Sequence, residues 1–288
     1  MSDDKLFKIG TCSWKYDSWV GLIYSEMIRG NYLHEYAAHY PIVEVDQWFW
    51  SLFPNSPIKL PDPGVAATYA AAVPDDFRFT IKVPNSITLT HYYNHDKKSE
   101  LVENPHFMSN DLFERFLQNL TPLEHKLGPL IFQFEYLNKQ KMPAQQIFFD
   151  KLQEFLANAP TGFHYAIETR NPNYLNKNYF DFLLQNQLSH VFLQGYFMPS
   201  IIGIYEKFKS YLTDSTVIRL HGPNRKEIEK TTGNKWDKIV APKDDELVKI
   251  IEIVKELMEN KVEIVFHVNN HYEGSAPKTI DKILSRLS

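Results

Sequence analysis

A single cysteine, Cys12, occurs in 288 residues. An intramolecular disulfide is therefore impossible, and the usage suits a reducing, cytoplasmic setting. No apolar run approaches the roughly 18 residues of a membrane-spanning helix, so no membrane partner is expected. Met1-Ser2-Asp3-Asp4 lacks the basic start and apolar stretch of a secretory signal. Glycine is scarce, at 11 residues, and the glycine-built signatures are missing with it. There is no G-x-G-x-x-G fingerprint, no G-x-x-x-x-G-K phosphate loop and no G-x-S-x-G elbow, and no cofactor is implied. A large excess of either charge is missing too. The net charge of −4 gives no general attraction to nucleic acid or anionic membrane.

What is present is core-forming material in a regular order. Hydrophobic residues make up 43% of the chain and charged residues 23%, which suits a globular fold with a sizeable core. Strand-like runs fall at 7–14, 42–46, 77–84, 127–136, 164–171, 190–195, 216–222 and 262–269. Helical spacing falls between them, at 24–40, 65–73, 111–125, 144–158, 179–187, 201–212, 244–260 and 278–287. Two polar stretches, about 85–106 and 223–241, read as loops, and a loop as long as the first is usually functional. Strands alternating with helices imply a parallel sheet. Eight such units in this length most economically close into a single (β/α)8 TIM barrel spanning residues 1–288. A doubly wound open sheet is the competing architecture.

In such a barrel the functional groups gather where the strands end at their C-termini. The run Ile42-Val43-Glu44-Val45-Asp46 shows why this matters here, since it places two carboxylates on one face of a buried strand. Alternation at the other strand ends offers Thr11 and Ser13, Thr80 and Lys82, Gln133 and Glu135, Glu168 and Arg170, Gln194, Arg219 and His221, and His267 and Asn269. Any one pair, such as Glu44 with Arg219 or Glu168 with Lys82, has a plainer reading as a buried ion pair. Desolvating the whole set costs more than pairing recovers, which favours a wet mouth.

Lys82, Arg170 and Arg219 beside these carboxylates would repel a divalent ion and suit an anionic ligand, phosphate or carboxylate. No metal site is expected, although His267 and His271, and His91 and His95, have four-residue spacing. Glu168, His221, Glu44 and Asp46 are the acid–base candidates, and paired carboxylates could alternatively hydrolyse glycosides. Cys12 alternates away from Thr11 and Ser13 and reads as a small buried residue. Trp14, Trp19, Trp48, Phe49, Trp50 and Tyr92 offer faces for a sugar or a base, or simply pack.

Several segments taken in order carry a family resemblance. They are Gly10-Thr11-Cys12-Ser13-Trp14, Val43-Glu44-Val45-Asp46, Phe79-Thr80-Ile81-Lys82 with Thr90-His91, and Leu127-Gly128-Pro129-Leu130-Ile131-Phe132-Gln133. Ala166-Ile167-Glu168-Thr169-Arg170-Asn171-Pro172, Ile218-Arg219-Leu220-His221-Gly222 and Val268-Asn269-Asn270 follow. Together they resemble the YecE-like family, domain of unknown function 72, over nearly the whole chain. The resemblance implies a TIM barrel related to the endonuclease IV and xylose isomerase group, open at the strand C-termini, and no particular reaction. The family pattern has Asn where Asp46 stands and an aromatic where His267 stands. Glu44, Lys82, Glu168, Arg219, His221 and Asn269 are therefore the better carriers of a shared function.

The resulting expectation is an enzyme, a hydrolase or lyase, acting without metal on a small anionic substrate that is phosphorylated or contains a sugar. Glu168 and His221 would exchange protons. Lys82, Arg170, Arg219, Asn269, Asp46, Trp14, Trp48 and His91 would bind the ligand. A nucleic-acid-binding barrel with Trp48 or Trp50 as wedge is less favoured, and needs a basic rim from Lys97, Lys98, Lys207, Lys209, Arg225 and Lys226. A non-catalytic ligand-sensing barrel is the third reading.

Overall fold

Eight parallel strands close in sequence order in the computed structural model, which describes residues 6–27, 31–93 and 100–287. They are β1 (Phe7–Thr11), β2 (Ile42–Val45), β3 (Arg78–Lys82), β4 (Leu127–Phe134), β5 (Tyr165–Thr169), β6 (Ser189–Gly195), β7 (Ser215–Gly222) and β8 (Glu263–Val268). β8 pairs back onto β1, so no strand edge is left open. Around them run α1 (Leu33–His39), α2 (Pro63–Ala71), α3 (Asn85–Thr88), α4 (Asn110–Asn119), α5 (Gln145–Asn158), α6 (Lys177–Gln185), α7 (Ile201–Phe208), α8 (Arg225–Thr232), α9 (Asp244–Glu259) and α10 (Ala276–Leu287). Among the described residues no helix is long and apolar enough to cross a membrane.

The barrel interior is layered. Ile42, Ile131, Ala166, Val191, Val217 and Val265 form an apolar cluster separate from the larger core between strands and helices. Side chains two residues apart share a strand face, so the next inward positions are Glu44, Gln133, Glu168, Leu193, Arg219 and His267. The pairings Gln133↔Glu168, Leu193↔Arg219 and Arg219↔His267 hold these at a common level. A dry plug thus lies beneath a charged layer, and the layer faces the strand C-termini.

Local chemistry explains where elements differ from the periodicity. Helix α2 starts at Pro63, two residues early, because the Asp62 carboxylate accepts from the Gly64 and Val65 N–H groups and Pro suits the first helical position. The helix expected over 24–40 is confined to α1. Tyr24 instead stacks on Tyr32 at 4.2 Å and donates its hydroxyl to the Trp14 carbonyl, while Ile28 lies outside the described residues. The expected loop over 85–106 opens with α3, all four residues of which are buried. The Asn85 side-chain carbonyl accepts from the Ser51 and Leu52 N–H groups, tying α3 under the segment that follows β2. The polar stretch after β7 contains α8, capped by the Asn224 side chain on the Glu227 N–H.

Strands β1 and β2 share only two register pairs, Gly10↔Ile42 and Thr11↔Val43. The buried Tyr36 hydroxyl bridges them, accepting from the Thr11 N–H at 2.8 Å and donating to the Ile42 carbonyl at 3.0 Å. Tyr36→Phe strips both backbone groups of this partner. It should cost about 1–3 kcal/mol, read as a lower urea midpoint with an unchanged slope.

Candidate functional site

The charged layer is organised around Arg219. Its Nε and Nη2 donate to the two oxygens of Glu44, each at 2.7 Å, and its Nη1 donates to Glu168. Arg219 and Glu44 are each 1% exposed, and Glu168 is fully buried. From just past the end of β5, Arg170 donates to the other oxygen of Glu168 at 2.6 Å and to the Gln133 side-chain carbonyl at 3.1 Å. Two carboxylates and two guanidinium groups leave this network neutral. The plain ion-pair reading therefore holds for Glu44 with Arg219, whereas the partners of Glu168 are Arg219 and Arg170 rather than Lys82.

Burial alone would raise the Glu168 pKa, but Arg170, Arg219 and Lys82 outweigh it and hold the group at about 2. Glu168 is consequently a fixed negative charge at neutral pH. Arg219 is equally committed, because each of its three nitrogens donates to one of the two carboxylates. Neither residue is placed as expected for its role, proton transfer for Glu168 and anion capture for Arg219.

Lys82 ends β3, and its ammonium lies 3.8 Å from the centre of the Phe49 ring. Burial and then the charge of Arg219 lower its pKa to about 8, against the pull of Glu44, Glu168 and Asp46. Asp46 is exposed at the rim, yet the crowded mouth and then the charge of Glu44 push its carboxyl above the ordinary range.

His221 is wedged between two partners. Its Nδ1 is 3.1 Å from the Tyr196 hydroxyl and its Nε2 is 3.6 Å from Cys12 Sγ. Burial, then Arg219, Arg170 and Lys82, keep the imidazole neutral, and burial raises the Cys12 thiol well above its usual value. The consistent arrangement is a thiol donating to Nε2 while Nδ1–H donates to Tyr196, a neutral pair rather than thiolate and imidazolium. The Tyr196 ring also lies under the Arg170 guanidinium at 4.4 Å. A cavity of about 470 Å³ opens beside Tyr196, between the ends of β6 and β7 and the start of α9.

Strand parity corrects two expectations. In β1 the Thr11 hydroxyl reaches outward to Tyr36, and Cys12 turns toward His221. In β6 it is Leu193 that shares the level of Arg219, while the Gln194 side chain reaches outward to Glu246. Trp14 and Trp48 do not wall the mouth. Trp14 is buried, donates to Asn31 and packs edge-on against Tyr69, onto which Trp48 stacks. Of the aromatics following β2, Phe49 is the one against Lys82, and Trp50 is 57% exposed.

The Asn269 side-chain carbonyl is used by its own loop, accepting from the His271 N–H. His91 contacts Thr90, whose hydroxyl faces Glu135, and Glu135 pairs with Lys141. His267 contacts Thr80 inside the barrel, whereas His271 pairs with Glu229 outside it. His95, Lys97 and Lys98 lie outside the described residues, and among those described no cluster of His, Cys, Asp and Glu could hold a metal ion. Arg225 pairs with Glu229, and Lys209 pairs with Glu206 and Glu256, so those two members of the suggested basic rim are already matched by carboxylates. Tyr196 is the mouth residue that strand alternation missed. It follows the end of β6 just as Arg170 follows β5, and that position was the available signal.

Comparison with known proteins gives a consistent result. The family model for protein of unknown function DUF72 matches residues 8–288. The UPF0759 protein YecE of Escherichia coli is 27% identical over 170 residues, 59% of this chain and 50% of that protein. The chain thus spans about half the length of the curated relatives it matches. A DUF72 family protein of Enterococcus faecalis superposes with a TM-score of 0.68 at 21% identity, covering 97% of this chain and 94% of the other. One from Thermotoga maritima gives 0.65 at 20%, covering 96% and 98%. At these identities the structures establish the fold alone, whereas the family model runs over nearly the whole sequence. A closed barrel with a buried Glu44–Arg219–Glu168–Arg170 network at its mouth therefore belongs to the DUF72 family of proteins.

Proposed function

We propose that the mouth binds a small anionic molecule and performs metal-independent acid–base chemistry on it. The observation that carries this reading is the neutrality of the buried network, which leaves Lys82 as the odd positive charge of the layer. An anion arriving there meets an ammonium group and the outer side of Arg170, which is 18% exposed. In this reading Glu44, Glu168 and Arg219 act by position, fixing Arg170 and setting the field at Lys82. Proton transfer falls in this reading to the neutral imidazole of His221 and to the Asp46 carboxyl, whose pKa is raised above its ordinary range. The cavity beside Tyr196 falls within the size range of small-molecule sites, and Tyr196, which stacks under Arg170, is the residue of this mouth that lines it. An enzyme of this kind, working in the cytoplasm as the lone cysteine suggests, accounts for more of the mouth than a purely structural barrel does.

The test is calorimetric titration with inorganic phosphate and with small carboxylates at low ionic strength. Lys82→Gln should weaken binding about 10- to 150-fold, the worth of one hydrogen bond to a charged group. Arg225→Gln, on the outer helix α8, should leave it unchanged. Equal affinities for the parent and Lys82→Gln would remove the reading.

A further inference from the structure

We propose that Lys82 is an imine-forming amine, and that the ligand of this mouth is a small oxo acid whose carbonyl carbon is attacked by Lys82 Nζ. The proposal rests on the anion-binding reading above and goes beyond it by making the amine a nucleophile.

The geometry is specific to this lysine. Every carboxylate of the inner layer is engaged elsewhere: Glu44 with Arg219, and Glu168 with Arg219 and Arg170. Glu135, at the exit of β4, is taken by Lys141. The contact made by the Lys82 ammonium is the face of Phe49. A ring face favours a cation weakly and leaves it displaceable, whereas a carboxylate would hold both the proton and the lone pair. The stem is buried at the last inward position of β3, so the amine is presented to the mouth from a rigid strand.

Titration supports the geometry. The charged groups acting on Lys82 are Arg219 of β7, Glu44 of β2, Glu168 of β5 and Asp46 at the rim, and with burial the balance lowers its pKa to about 8. At pH 7.5 roughly a quarter of such an amine is free base, against about one in a thousand for an ordinary lysine. Burial with a neighbouring cation is the general means of making a lysine nucleophilic.

The step balances without an added oxidant or reductant. The Nζ lone pair forms a bond to the carbonyl carbon, and the carbonyl π pair moves to oxygen, which takes a proton. The nitrogen loses a proton to solvent, giving a carbinolamine. Protonation of the carbinolamine hydroxyl by solvent lets it leave as water while nitrogen supplies the electrons of the new C=N bond. The protonated imine carries the charge that the ammonium carried, so Glu44 and Glu168 still face a cation. The carboxylate of the oxo acid would lie toward Arg170.

The experiment is reductive trapping on the full chain. Glyoxylate or pyruvate is added at sub-millimolar concentration with sodium borohydride, and intact mass is followed by peptide mapping. The expected result is one secondary-amine adduct per chain, on Lys82, forming about 200-fold faster at pH 7.5 than on surface lysines, the ratio set by the free-amine fractions. Its rate should rise through pH 8 and level off above, and inorganic phosphate should compete. Lys82→Arg, which keeps the charge, should lose that adduct and leave the slow surface background intact. The parent protein alone decides the matter if the variant does not fold, because mapping locates the adduct directly. Labelling spread over surface lysines with Lys82 no faster than the rest would overturn the proposal. If phosphate still binds in that case, only the imine falls; if phosphate binding is also absent, the anion-binding reading falls with it.

Discussion

Arg219→Met is expected to remove about 3–5 kcal/mol of unfolding free energy, the cost of breaking a buried ion pair from one side. The substitution fits the space approximately but strands Glu44, which is 1% exposed and whose two oxygens both accept from Arg219. Glu168 retains Arg170. The loss should therefore come mainly from Glu44, and Glu44→Gln added to Arg219→Met should recover part of it. Replacing Glu44, Glu168 and Arg219 together by apolar residues of similar volume should recover more, because a buried network often contributes little beyond its own desolvation cost. The acid limb supplies an independent reading. The folded pKa of Glu168, about 2, is depressed from the ordinary 4.5. Its stabilisation is fully present above pH 4.5 and lost as pH falls toward 2, and amounts to about 3 kcal/mol. Without Arg219 the folded pKa rises, so less of this stabilisation exists and the remaining acid loss is shallower. Urea unfolding at pH 7 and pH 3 tests both points. A variant within 1 kcal/mol of the parent at pH 7 would show that Arg219 does not hold the layer together.

The sequence carried the barrel because hydrophobic alternation repeats at every strand and because its interruptions are chemically marked. It also carried the charged layer, since Glu44, Glu168 and Arg219 are inward positions of strands whose apolar partners lie two residues earlier. What it concealed was parity at strands that end irregularly. In β6 the register against β7 shifts between Gln194 and Gly195, and counting back from the strand end selects Gln194 instead of Leu193. In β1 the Tyr36 hydroxyl enters the ladder beside Thr11, and the neighbouring Cys12 faces His221 against the alternation. The pairing choices within the layer were also invisible. Lys82 and Arg219 are both inward cations in sequence, and only their spatial partners separate a displaceable amine from a committed strut. Trp14 and Trp48 show the same limit, because their common partner Tyr69 comes from α2.

Gly222→Ala is expected to cost about 2–6 kcal/mol, combining roughly 1–3 for a non-glycine residue at positive φ with about 1–3 for overpacking. Gly222 ends β7 at φ +75°, and a Cβ built there would lie 2.4 Å from the His271 carbonyl oxygen and 3.0 Å from Tyr272 Cα. Both obstacles are backbone, so no side-chain rotation relieves them. The backbone around Gly222 must move, and His221 precedes it directly. The Gly222 carbonyl also accepts from the Tyr196 N–H at 3.1 Å, so the displacement acts on both sides of the His221–Tyr196 contact. The imidazole should consequently lose its fixed neutral environment, and its pKa should return toward the ordinary 6.5. Gly203→Ala in α7 is the matching control, since a Cβ there meets nothing within 4 Å. It should stabilise the chain by about 0.5–1 kcal/mol through helix propensity and leave His221 untouched. Urea unfolding of both variants, with the His221 ring followed by NMR through pH 5 to 8, separates the cases. A Gly222→Ala protein as stable as the parent, with its His221 resonance still invariant over that range, would mean that the end of β7 is not what fixes this side of the mouth.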